Sequence, residues 1–405
     1  MFYSLQTAIL LSLSFLLSYG LAAPPSTKVA SAWYAGWHSE AFPLSKVPWS
    51  KYTHLTYSFA VTTPDVHKLS FEGSNEALIP EFVATAHKNG VKASISIGGW
   101  TGSRFFSTAV GNAKNRTAFV ETVVNMATKY KLDAVDFDWE YPGKQGLGCN
   151  IVSSKDVPNF LLFLQELRKN AVGSKLILTA ATSISPYASD VSGFAKVLDF
   201  IAIMNYDIWG SWSPKVGPNA PLADSCAGSG NQAGSGTGAV QAWSNAGMPA
   251  SQIVLGVPSY GHSFTVRPNK AFVQGSTTQL AQYPEFDAGS PPNGDAWDDG
   301  AGVDVCGNQT GPGGNWNFWG LVDGGFLTAK GEPAQGINYR FDECSKTPYV
   351  YNATRNLMVS FDNAQSFAAK GGFIKQKNLR GFATWEAGGD PNSILLDSIR
   401  KSAGW

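Results

Sequence analysis

The chain has 405 residues, with 30 Lys or Arg balanced by 30 Asp or Glu. Only 15% of residues are charged while 13% are aromatic, which argues against a nucleic-acid binder, since that needs a basic face. The same balance suits a neutral polymer such as a carbohydrate, whose sugar faces stack on indole and phenol rings, and the length admits one large domain or two ordinary ones.

The N-terminal stretch holds an apolar run from Ala8 to Leu17 followed by small residues. It reads as a secretory signal peptide over residues 1–22, too short for a membrane span, and no later segment reads as one. Export, and hence a secreted, extracellular protein, agrees with glycosylation acceptors at Asn115, Asn308 and Asn352 and with an even cysteine count.

Strands are expected at Val29–Trp37, Thr53–Val61 and Lys92–Gly99, with a helix at Pro80–Asn89 between the last two and another at Arg116–Lys131 after them. Leu132–Pro142 reads as a fourth strand that alternates. Asp136, Asp138 and Glu140 share one face, and Val135, Phe137 and Trp139 share the other. Bulky apolar residues on the second face imply a covered strand. Three acids in a row on such a strand cost energy unless they share protons or have donors nearby, so acid–base chemistry is the reading preferred over a metal site.

A helix at Pro158–Val172 and strands at Lys175–Ser183 and Phe200–Asp207 follow. A long Gly/Pro/Ser-rich loop then leads to a helix at Thr237–Ala246, and Ile253–Phe264 reads as a seventh strand. Gly381–Trp385 is an eighth, and Asn392–Lys401 a closing helix. Strands and helices in strict alternation point to an α/β fold, a (β/α)8 barrel over residues 23–264 and 357–405. Residues 265–356 break the rhythm and read as a small α+β insertion domain between strand seven and its helix. Cys306 and Cys344 both fall inside it, so we expect them to pair with each other, and Cys149 with Cys226 on the barrel rim.

In such barrels the site lies at the C-terminal strand ends. These carry Tyr34, Trp37, Phe59, Trp100, Asp138, Glu140, Met204, Tyr206, Asp207, Tyr260 and Trp385. Trp37 and Phe59 are equally compatible with core or cleft, and Met204 favours packing. Ser96, Gly98 and Gly99 let strand three approach its neighbour closely. A usual retaining glycosidase also needs a second carboxylate about 5 to 5.5 Å from the acid, and no second strand end offers an obvious one.

The acidic stretch Asp133, Asp136, Asp138, Glu140 resembles the Asp-x-x-Asp-x-Asp-x-Glu signature of family 18 glycoside hydrolases, the chitinase family. Ser96-Ile-Gly-Gly99, Met204-Asn-Tyr206-Asp207 and Trp385 resemble three further motifs of that family, in the family's order. The resemblance implies a chitinase cleaving β-1,4 links between N-acetylglucosamine units by a retaining, substrate-assisted route through an oxazolinium ion. It implies Glu140 as general acid, Asp138 turning between Asp136 and the acetamido group, and Tyr206 and Asp207 holding that group. Trp385 would form the floor, while Met204, Tyr260, Trp100, Tyr34 and Tyr141 would line the cleft. Chitin or chito-oligosaccharides are the expected partners of a monomer, with no cofactor, metal, nucleic acid or membrane.

Two alternatives stay open: an endo-β-N-acetylglucosaminidase acting on glycoprotein glycans, and a chitin-binding lectin. Leu132 and Ala134 depart mildly from the family pattern. His262 stands where many relatives carry Arg, which puts one subsite in question.

Overall fold

The computed structural model describes residues 28–405; the expected signal peptide lies outside them. Eight parallel strands form a closed ring: β1 (Val29–Ala35), β2 (His54–Thr62), β3 (Lys92–Gly98), β4 (Ala134–Asp138), β5 (Ile177–Thr182), β6 (Phe200–Ile203), β7 (Ile253–Pro258) and β8 (Gly381–Trp385). Each pairs with its chain neighbours, and β1 pairs with both β2 and β8, so the sheet closes. The fold is a (β/α)8 barrel. The acidic strand is shorter than expected. β4 ends at Asp138 and β6 at Ile203, so Glu140, Met204, Tyr206 and Asp207 stand on the loops just past the strand ends.

The main helices are α1 (Ile79–Lys88), α2 (Ala113–Tyr130), α3 (Asp156–Lys169), α4 (Gly236–Asn245), α5 (Ala364–Gln376) and α6 (Ile394–Ala403). Local chemistry explains their ends. Asn112 and Ser235 cap α2 and α4 by accepting a backbone N–H of the first turn. Asn363 and Ser366 form a reciprocal capping box on α5, satisfying donors that a helix start leaves orphaned.

The period-two alternation of β4 sorts the two layers. Phe137 packs edge-on against Phe160 and Phe163 of α3, at 5.9 and 5.5 Å between ring centres, and Trp139 stacks on Phe106 at 5.0 Å. Asp136 and Asp138 turn to the other side, into the barrel. At Gly98 the backbone φ is +114° and an added Cβ would come 2.1 Å from the Asp138 carbonyl oxygen. A close approach of β3 to β4 therefore requires glycine there.

The segment expected as one strand from Ile253 to Phe264 is two. β7 belongs to the barrel; Tyr260–Thr265 leaves it and joins an antiparallel sheet. That sheet runs in the order Asn315–Asn317, Tyr260–Thr265, Leu357–Ser360, Thr347–Asn352, Asn338–Asp342. Ser259 marks the switch, with its hydroxyl donating to the Glu386 carbonyl and accepting the Glu386 N–H. Ile253–Pro258 is buried at every position and Tyr260–Thr265 at all but its ends, so no change of pattern marks the break in the sequence. At the sheet's exit, Lys370 of α5 reaches Asp362 at 2.5 Å, and both side chains are fully buried.

The disulfides overturn the expected pairing. Cys149 bonds Cys306, and Cys226 bonds Cys344. Both bridges run from a barrel loop to the insertion; neither lies within one body. The expectation assumed that cysteines close in sequence register meet within their own unit. A hairpin arm (Gly302–Val303 against Gln309–Thr310) instead carries Cys306 away from Cys344.

Candidate active site

Asp136 is the buried base of the acid ladder. Its carboxylate accepts from Trp33 Nε1 of β1 at 3.1 Å, Ser96 Oγ of β3 at 2.8 Å and Thr179 Oγ1 of β5 at 2.6 Å. Burial raises its pKa, and these three donors oppose the rise. Asp138 sits one alternation nearer the mouth, and its Oδ1 has no hydrogen-bond partner. Burial pushes its pKa well up, and the charges of Glu140 and then Asp136 push it further. An unpartnered carboxylate oxygen between two other acids suits a group that holds a shared proton.

Glu140 stands at the top. Burial raises its pKa from 4.5 to about 7, opposed by a hydrogen bond from Tyr141 and assisted by the charge of Asp207. Its backbone is fixed on both sides. The N–H donates to Ser103 Oγ, and the carbonyl accepts from Asn150 Nδ2. Glu140, Tyr141, Met204, Tyr206 and Asp207 line one open cavity of about 260 Å³. The separate motifs of β4 and β6 thus meet in space.

Asp207 is the exposed acid of the group. One oxygen, Oδ1, accepts from Tyr260 Oη at 2.6 Å and lies 2.7 Å from His262 Nε2. His262 is buried, and Trp212, 62% exposed, meets it edge-on. Burial beside Asp138 and Asp207 holds the Tyr206 phenol well above its usual pKa, so it stays a neutral donor.

The floor is aromatic. Trp385 stacks on Phe59 at 5.5 Å and meets Trp33 at 6.1 Å, while Trp37 stacks on Phe59 at 5.9 Å. Trp37 and Trp100 are 43% and 49% exposed. Trp37 and Phe59 therefore belong to the cleft, and Met204 serves both roles, packing in the barrel and lining the cavity.

Tyr34 does not line the cleft. It is buried in the layer between strands and helices, packed near Tyr57 and Phe82, with its hydroxyl donating to the Phe42 carbonyl. Strand parity explains the correction. On β1 it is Trp33 that points inward, where it donates to Asp136, so its neighbour Tyr34 points outward. Ser96, expected only to pack, also donates to Asp136. Asp133 stays outside the group, at the far end of β4, bonded to Lys92 and His87.

The acceptor asparagines sit away from the acids. Asn115 lies half-buried in the first turn of α2, Asn308 is exposed at the hairpin tip, and Asn352 ends an insertion strand. A further feature escaped the sequence. His38 Nδ1 lies 2.8 Å from Glu386 Oε1, and the imidazole stacks on Trp297 of the insertion at 3.9 Å. No spacing rule links residues so far apart in the chain.

Comparison with known proteins gives a consistent answer. The model of glycosyl hydrolases family 18 matches residues 30–390. A "chitinase-like effector" of Moniliophthora roreri is 54% identical over 396 residues, covering 96% of each chain. Another "chitinase-like effector", from Moniliophthora perniciosa, is 50% identical over 384 residues, 93% of this chain and 87% of its own. Among solved structures, a chitinase of Rhizomucor miehei superimposes with a TM-score of 0.83 at 31% identity, over 93% of this chain and all of its own.

Proposed function

The chain belongs to glycosyl hydrolase family 18, and from that premise we propose that it is a chitinase, cleaving β-1,4-linked N-acetylglucosamine polymers with retention. The observation that carries the reading is the convergence of Glu140 with Tyr206 and Asp207 on one cavity, above a buried Asp136–Asp138 pair.

In this reading Glu140, kept protonated near neutral pH, donates its proton to the glycosidic oxygen as the C1–O bond breaks. The sugar's own acetamido oxygen attacks C1 and closes an oxazolinium ring, so no protein nucleophile is required. Asp138 rotates from Asp136 toward the acetamido N–H and balances the positive ring. Tyr206 donates to the acetamido carbonyl and orients it, with Asp207 holding the neighbouring edge. Water, deprotonated by Glu140, then opens the ring on the original face. Trp385 and Phe59 support the sugar through stacking. We propose that the chain is exported, a reading supported by the N-terminal apolar run and the acceptor asparagines, and that it acts as a monomer.

The relatives named "chitinase-like effector" favour a second reading, a protein that holds chito-oligosaccharide in this cleft without cutting it. The retention of Asp136, Asp138 and Glu140 favours the first. Incubation with chitin hexamer and detection of the product anomer separates them. The hydrolase reading expects products of retained anomeric configuration, and a Glu140→Gln variant slowed at least about a hundredfold with near-normal binding. Oligomers with free amines at the scissile unit should resist cleavage. Binding without any product from the unaltered chain would establish the second reading.

A further inference from the structure

The two disulfides do different mechanical work. Cys226–Cys344 joins the loop after β6 to the insertion that follows β7, and these strands are neighbours in the ring. It tightens one side of the rim. Cys149–Cys306 is different, because Cys149 lies on the loop after β4, just past Glu140. Stepping round the ring, β8 is four strands from β4 in either direction. The two stand on opposite sides of the mouth.

The arm that carries Cys306 starts beside β8 and β1. Trp297, at its root, stacks on His38 just past β1, and an added Cβ on Gly388, just past β8, would come 2.9 Å from the Trp297 ring. The root is rigid. Asp298 accepts the N–H groups of Gly294, Gly314 and Asn315, and Gly313 N–H donates to the Asp299 carbonyl to close the base of the hairpin. Glu386, itself bonded to the Ala35 N–H, holds His38 beneath Trp297.

From Asp299 the arm runs seven residues to Cys306. An extended chain of that length spans about 23 Å. A ring of eight strands about 4.8 Å apart and tilted about 36° is about 15 Å across. The arm is therefore long enough to cross the mouth from the β8–β1 side to the β4 side, and its tip is bonded there. It packs little on the way, with Val303 60% and Val305 48% exposed. The ends of β2 and β3, bearing Phe59 and Trp100, lie between its two anchors.

We propose that residues 299–313, locked to Cys149, form a covalent strap over the aromatic half of the cleft. The strap turns that half into a tunnel, so that a chitin chain is threaded by its end and cannot be laid in sideways. This specificity for chain ends rests on the chitin reading above and deepens it. Once threaded, the chain can leave only by sliding, which favours successive cuts on one strand.

The test is binding of a long soluble chito-oligosaccharide, free or capped at both ends with a bulky folded protein, in the Glu140→Gln background so that no cutting intervenes. The disulfide-closed form should bind the free oligomer and exclude the capped one. A Cys149→Ser/Cys306→Ser variant should bind both, and should release the free oligomer at least about tenfold faster, the range over which related complexes differ in dissociation. A Cys226→Ser/Cys344→Ser variant, which loses a bridge between the same two bodies but keeps the strap, should behave like the closed form. Specific protease sites introduced at both Gly300 and Gly311, on either side of Cys306, and cut after folding release the arm from its root without altering either cysteine, and should likewise admit the capped oligomer. Equal binding of capped and free oligomers by the closed form would overturn the strap. Failure of the free oligomer to bind any form would instead remove the chitin reading, and the tunnel with it.

Discussion

Inside the barrel, donors from β1, β3 and β5 converge on one carboxylate, Asp136, and no covalent link is needed. On the rim, the insertion is tied to the barrel by two disulfides and adjoins a single buried ion pair, Lys370–Asp362. The interior is held by register. Once the strands pair, each side chain's height and direction are set, and the acids cannot avoid one another. The rim has no such register, since loops that follow different strands meet only where side chains or cross-links make them meet. Precision comes from the sheet, and enclosure comes from the links.

The largest effect should come from breaking the buried ion pair where the chain leaves the insertion for α5. Lys370→Met leaves Asp362 charged and unpaired in a site with no exposure, and should cost about 3–5 kcal/mol of stability. Burial pushes the Asp362 carboxyl up and the Lys370 amine down, so both work against the ionised pair. Denaturant unfolding measures the loss. A change below about 1 kcal/mol would place the pair with exposed ones and weaken the contrast between rim and interior.

The interior should respond in rate and not in fold. Asp138→Asn removes the swinging charge while keeping shape, and kcat on chitin oligomers should fall at least about a hundredfold, equivalent to about 2.7 kcal/mol of transition-state stabilisation. The melting temperature should not fall, because a buried, unpaired carboxylate has been replaced by a neutral amide. A melting temperature that drops together with kcat would show the acid ladder to be structural.

The pH profile sharpens the same point. Glu140 must be protonated to act as the acid, and burial holds its pKa at about 7. Below that value the acid form dominates. Above it the form is lost tenfold per pH unit, so kcat/KM should fall tenfold per unit on the alkaline side. An alkaline limb already complete near pH 5 would mean that Glu140 is solvated and that the barrel's desolvation does not set its proton.

Legibility in the sequence follows the same division. β8 spans Gly381–Trp385 in both the sequence reading and the structure, and the face assignment of β4 holds, because a period of two is a local property. The error at Tyr34 was one of parity on a strand buried on both faces, where every residue is apolar or small and the pattern carries no phase. The disulfide partners were illegible for another reason. Cys306 travels on an arm whose direction is set by the Asp298 turn and by the Trp297–His38 stack, the latter a contact between residues far apart in the chain. The split at Ser259 hid likewise, since only the hydrogen bonds to Glu386 mark where β7 ends.

The smallest effect is expected where interior and rim touch. Tyr260 and His262 lie on the strand that leaves the barrel for the insertion, yet both reach the same oxygen of Asp207. Asp207 is half exposed, so water screens the loss of either partner. His262→Ala keeps the Tyr260 bond and should lower kcat/KM by only about three- to tenfold, within the value of one charge-assisted hydrogen bond at a solvated site. Tyr260→Phe should cost a similar amount, and the double variant more than the sum, because Asp207 would then be free to rotate away from the substrate edge. Should the two single losses simply add, each residue acts alone, and the insertion contributes only a wall to the cleft without positioning its outermost acid.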